Sequence, residues 1–90
     1  MDIPKDESLI AYPCHFPIKI VGLYTPSYRE KVIELVRVHA PDLVEEKIKE
    51  RYSKNKKYLS LSITVYAQNR EQLDAIYIAL SSCDEVAWVL

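Results

Sequence analysis

The 90-residue chain predicts an α+β fold in two layers, and three observations carry that reading. Tyr58 to Ala67 alternates strictly, with Leu59, Leu61, Ile63 and Val65 set between Tyr58, Ser60, Ser62, Thr64 and Tyr66, so it is a strand with one dry and one wet face. A capped helical stripe follows at once, and a short apolar run then reaches Leu90, so the back half reads strand, helix, strand. The front half also opens with a strand and a helix, over residues 16 to 39.

Residues 1 to 13 are polar and interrupted by prolines, which predicts a mobile leader whose Leu9, Ile10 and Tyr12 dock on the body. The single domain then spans 14 to 90. Its first strand is Phe16 to Leu23, with Ile18 and Ile20 facing the core, Lys19 and Val21 opposite, and Gly22, the only glycine, near its end. A helix starts at Ser27, where the hydroxyl and Glu30 three residues on make a capping box. Val32, Leu35, Val36 and His39 share one side of it, and Pro41 ends it because the residue before a proline avoids helical geometry.

Val44 to Lys54 fits two periods, since Val44, Ile48 and Tyr52 recur every four residues. A strand is the better reading, because the turn Ser53 to Lys57 then makes it a hairpin partner for the Tyr58 strand. Glu45, Lys47, Lys49 and Arg51 would share one face of that strand. The second helix runs from Arg70 to Ser81 with Asn69 as cap and Gln72 as its reciprocal partner, and Leu73, Ile76, Tyr77 and Leu80 form its stripe. In the last strand, Glu85 to Leu90, Val86, Trp88 and Leu90 are expected in the core, with Ala87 and Val89 on the other face.

The order βαββαβ, with right-handed crossovers joined by a hairpin, gives an antiparallel sheet of strand order 4-1-3-2 carrying both helices on one face, a ferredoxin-like two-layer sandwich. With 49 % hydrophobic residues and 28 % charge the chain supports such a core without metal or disulfide. The formal charge of −1 excludes the global positive field that non-specific nucleic-acid binding needs. No apolar run is long enough for a membrane span, and Asp2, Asp6 and Glu7 stand where a signal peptide would be basic, so a cytoplasmic protein is expected.

Cys14 and Cys83 lie outside any metal-ligand spacing and are expected to be reduced thiols at opposite ends of neighbouring strands. Cys14 precedes His15, but adjacent strand residues point to opposite faces, so the imidazole cannot serve the sulfur as a base. His39 at a helix end suits the dipole and free carbonyls better than a ligand role. Gly22 to Pro26 offers one glycine and no arginine, too little for an acylphosphatase-like anion cradle. No catalytic, cofactor-binding or metal residues are predicted.

Several blocks carry a family resemblance. Tyr12 through Gly22, His39-Ala40-Pro41, Tyr58 to Ala67, and Glu71-Gln72-Leu73-Asp74 through Val89-Leu90 together resemble the YbeD-like family of small bacterial proteins of unknown function, over about residues 9 to 90. The resemblance implies a fold similar to ACT-type regulatory domains, no assigned activity, and an association of some members with lipoate-synthesis gene neighbourhoods. His15 stands where an aspartate is common, the turn Ser53 to Lys57 lacks the frequent glycine, and Trp88 replaces a usual methionine.

Function is therefore expected on the sheet face that the helices leave open. The candidate interaction surface is Lys19, Lys47, Lys49, Arg51, Tyr58, Ser60, Ser62 and Thr64. The basic edge Lys47-Lys49-Arg51 reads either as protection against sheet-to-sheet aggregation or as a docking edge for an acidic partner. The expectation is a non-enzymatic regulatory or protein-interaction module, with a protein partner or homodimer and room for a small-molecule ligand. RNA binding on the open face is the alternative; against it, Ser60, Ser62, Lys19 and Val21 hold the middle positions where that use of the fold stacks bases on aromatic rings.

Overall fold

A computed structural model describes residues 11–90. The expected leader falls almost wholly on residues outside that range, although Tyr12 packs against the core. Six elements follow in order: β1 Cys14–Leu23, α1 Tyr28–His39, β2 Ile48–Tyr52, β3 Tyr58–Ala67, α2 Arg70–Ser81 and β4 Val86–Val89. The sheet order β2-β3-β1-β4 is the predicted 4-1-3-2 arrangement, antiparallel throughout.

β1 and β3 form the sheet's centre and pair over their full length, Cys14 opposite Ala67 through Leu23 opposite Tyr58. That register places Ile18, Ile20, Leu59, Leu61, Ile63 and Val65 under the helices, all essentially excluded from water. Each such side chain contributes roughly 2 kcal/mol of burial before entropy is subtracted. β1 starts two residues earlier than its alternation indicated, because Cys14 and His15 find partners on β3.

The helices close the layer with a partly different set from the predicted stripes. α1 buries Tyr28, Val32, Ile33 and Val36, while Leu35 is only half-buried. Tyr28 is the anchor: its ring is fully buried and its hydroxyl donates to the Ile20 carbonyl at 3.3 Å. Gly22 makes room for it, since a Cβ there would collide with the Tyr28 ring and the Glu85 carbonyl.

The Ser27 capping box does not form. Ser27 has helical backbone angles (φ −96°, ψ −6°), which turn its hydroxyl away from the first amides, and it donates instead to Glu85 Oε2 at 3.2 Å. Asn69 does cap α2, accepting from the Gln72 amide at 2.8 Å, and the Gln72 side chain accepts from the Gln68 amide at 2.7 Å. Gln72 also donates to the His39 carbonyl at 2.8 Å, and Ala40 N–H reaches Val36 O, so backbone and Gln72, not the His39 imidazole, meet these carbonyls.

The segment predicted as strand from 44 to 54 is strand only over Ile48–Tyr52. Glu45–Lys47 is a single 3-10 turn, closed by the Lys47 amide on Val44 O at 3.0 Å. Arg29 on α1 fixes this geometry by binding Glu45 at 2.7 Å and Glu50 beside it, pulling the segment toward the helix layer before pairing begins. A second 3-10 turn, Lys54–Lys56, replaces the glycine turn: Asn55 takes φ 67°, left-handed geometry that asparagine tolerates.

Candidate functional site

The strand registers decide what the open face carries. β3 residues that alternate with its buried row, Tyr58, Ser60, Ser62, Thr64 and Tyr66, lie on it, with Val21, Lys19 and His15 opposite on β1. Lys49 and Arg51 stand opposite Ser62 and Ser60 from β2, on the same face. Seven of the eight predicted surface residues are thus brought together there.

Lys47 is the exception. It lies in the 3-10 turn, not on β2, because pairing begins only at Ile48 opposite Ile63. β3 consequently runs on from Thr64 to Ala67 without a β2 partner, and Lys47 borders the notch left there. The notch is a cavity of about 300 Å³ whose walls include Val44, Val65 and Thr64, together with His15 and Tyr66, whose rings lie 5.0 Å apart and tilted by 51°.

The last strand departs further from expectation. Gly22 pairs with Val86 and Val21 with Trp88, so Ala87 is an extra residue, a β-bulge in β4. The phase of β4 flips beyond it. Val89, opposite Ile20, packs against the core, while Trp88, predicted buried, stands on the open face at 49 % exposure with its ring 6.3 Å from that of Tyr58. Alternation alone could not show this, because one inserted residue inverts every later position. Val86 is core-packed as expected, whereas Leu90 is exposed and Ala87 is the bulge residue and not part of a regular face.

Charge is sorted between the layers. Among the described strand residues Glu50 is the sole carboxylate, and it points to the helix side, where Arg29 binds it. Lys19, Lys49 and Arg51 all stand on the open face. The Arg29 guanidinium is held above its usual range, first by the Glu45 and then by the Glu50 hydrogen bond. Burial pushes the Tyr28 phenol up to about 12, with Cys83 and Glu85 adding to the shift.

Other sites offer less. Both cysteines are free thiols, Cys14 at one end of β1 and Cys83 beside Tyr28 near the other. Among the described residues no group of three or more His, Cys, Asp or Glu side chains could hold a metal ion, and no helix is long and apolar enough to cross a membrane.

Comparison with known proteins places this geometry. The chain is 43 % identical over 89 residues to a UPF0250 protein of Leptothrix cholodnii, covering 99 % of this chain and 98 % of that one. It is 46 % identical over 89 residues to a UPF0250 protein of Janthinobacterium sp., with the same coverage. UPF0250 protein NE1487 of Nitrosomonas europaea is 42 % identical over 85 residues, 94 % of this chain and 98 % of that one. None of these three names states an activity. The solution structure of protein HP0495 from H. pylori superimposes with a TM-score of 0.71 over 100 % of this chain and 97 % of that one at 21 % identity, and so shares the fold. Residues 7–90 match the family model described as "Protein of unknown function (DUF493)", and the chain belongs to that family of small bacterial α+β proteins, the one its sequence resembles.

Proposed function

We propose that this chain is a non-enzymatic, cytoplasmic interaction module of regulatory type whose open sheet face receives a protein partner. One observation carries the reading: the strands place three cations on the open face and their single carboxylate beneath it, although the whole chain is nearly neutral. Protection of the β2 edge accounts for Lys49 and Arg51, but it does not account for Lys19 on a central strand. Complementary charge mainly sets specificity and encounter rate, which suits a docking face.

Changing Lys19, Lys49 and Arg51 together to glutamate tests this. All three are exposed and contribute little to stability, so the melting temperature stays within a few degrees of wild type. Quantitative capture from native cytosol loses the partners that wild type retains. Unchanged capture would move the interaction surface elsewhere.

A second reading, single-stranded RNA on the same face, gains from Trp88 standing beside Tyr58 as a stacking surface. It is weakened by the middle of the face, where Ser60, Ser62, Lys19 and Val21 offer no ring.

A further inference from the structure

We infer that the end of the open face formed by Leu23, Tyr58 and Trp88, with Arg51 and Lys57 at its rim, is the anchor site for an acidic protein segment that inserts an aromatic or aliphatic side chain. The inference rests on reading the open face as an interaction surface, and adds the chemistry of what binds there.

Leu23 stands opposite Tyr58 across the central pair, and Trp88 stands opposite Val21 across the β1–β4 ladder. Leu23 is 50 % and Trp88 49 % exposed, while Val21 at 7 % is the floor between them. The middle of that face is serine, threonine, lysine and arginine, with His15, Pro17 and Tyr66 at its far end, so this end is an apolar patch bordered by polar surface. It exists because of the bulge: without Ala87 as an extra residue, Trp88 would turn inward against the helices. Bulges commonly re-aim a side chain where a strand serves a site.

The rim gives the patch its sign. Arg51 lines a depression with Val21, Tyr58 and Ser60, and the Lys57 ammonium lies 5.6 Å from the centre of the Tyr58 ring. None of the described strand residues on this face carries a carboxylate. A partner that covered the patch with apolar or basic groups would desolvate Arg51 without compensation, whereas a carboxylate can accept two parallel hydrogen bonds from its guanidinium.

Tyr58 and Arg51 line this depression and Trp88 stands next to Tyr58, and tryptophan, tyrosine and arginine are the residue types that dominate binding at protein interfaces. A polyphosphate chain fits less well, because a net charge of −1 gives no long-range attraction and the cations cover only a short span.

The test uses the full chain and its own reporter, since Trp88 is the sole tryptophan. Short random peptides displayed on phage are selected against wild type, Trp88→Ala and Arg51→Glu, with thermal melts confirming that both variants fold. Selected peptides and a short oligo-uridylate are then titrated by tryptophan fluorescence at about 150 mM salt. The expected result is enrichment of peptides that combine Asp or Glu with an aromatic or aliphatic residue. Enrichment disappears against Trp88→Ala, and affinity falls at least about tenfold in Arg51→Glu. Neutral or basic consensus peptides, equal enrichment on the variants, self-association that shields Trp88, or oligo-uridylate binding more tightly than any selected peptide would each overturn it. If cytosolic capture depends on Lys19, Lys49 and Arg51 while the selection fails, the partner chemistry is wrong and the docking face stands. If neither depends on that face, both readings fall.

Discussion

Gly22 and Tyr28 occupy one space: the Tyr28 ring lies where the first side-chain carbon of any other residue at position 22 would be. The glycine has ordinary strand geometry, with no positive φ, so its role is clearance for the ring and for the Glu85 backbone, not turn flexibility. That clearance lets α1 bring its first residue down onto β1 and lets Tyr28 reach the Ile20 carbonyl.

Gly22→Ala is therefore expected to be strongly destabilising. The Glu85 carbonyl is backbone and the ring is fully buried, so neither can step aside cheaply. Overpacking of this kind costs on the order of 3 kcal/mol. Chemical denaturation should show the midpoint dropping accordingly, and a variant as stable as wild type would contradict the packing described.

Tyr28 should govern the alkaline limit of stability. Its folded-state value of about 12 lies above the ordinary 10.0, so the folded chain holds the phenolic proton more tightly than the unfolded chain does. The resulting stabilisation is fully present below pH 10.0 and is lost as pH rises toward about 12. Melting temperatures measured across that window should fall steeply in wild type and more gently in Tyr28→Phe. At neutral pH the same variant should lose about 1 kcal/mol for the missing hydrogen bond.

The two helix starts should respond differently to loss of their polar residues. Asn69→Ala removes the acceptor for the Gln72 amide and should cost about 1 kcal/mol. Ser27→Ala removes only an exposed bond to Glu85, with no capping contact, and should cost less than about 0.5 kcal/mol. Equal losses in urea titrations of the two variants would show that Ser27 caps α1 after all.

The Arg29 clamp should matter to the edge strand more than to the whole fold. Its partners Glu45 and Glu50 are partly exposed, so Arg29→Ala is expected to cost about 1 kcal/mol or less globally. Amide hydrogen exchange should nevertheless quicken selectively over Ile48–Tyr52, because that short strand is held at one side by β3 and at its entry by Arg29. Uniform acceleration across β3 and β1 would argue that the clamp is a global support.

By itself the sequence determined the βαββαβ order, the sheet order and the buried row from Leu59 to Val65, because alternation and helical stripes report directly which side chains must leave water. It also placed Lys19, Lys49, Arg51 and the polar row of β3 on one face, since those assignments need only an unbroken period of two. The tertiary structure alone decided three things. It inserted the bulge at Ala87 that brings Trp88 onto the open face, it drew Ser27 to Glu85 instead of its own helix, and it bent residues 45–47 out of the strand toward Arg29. Each depends on a partner distant in the chain, and local periodicity carries no information about such pairings.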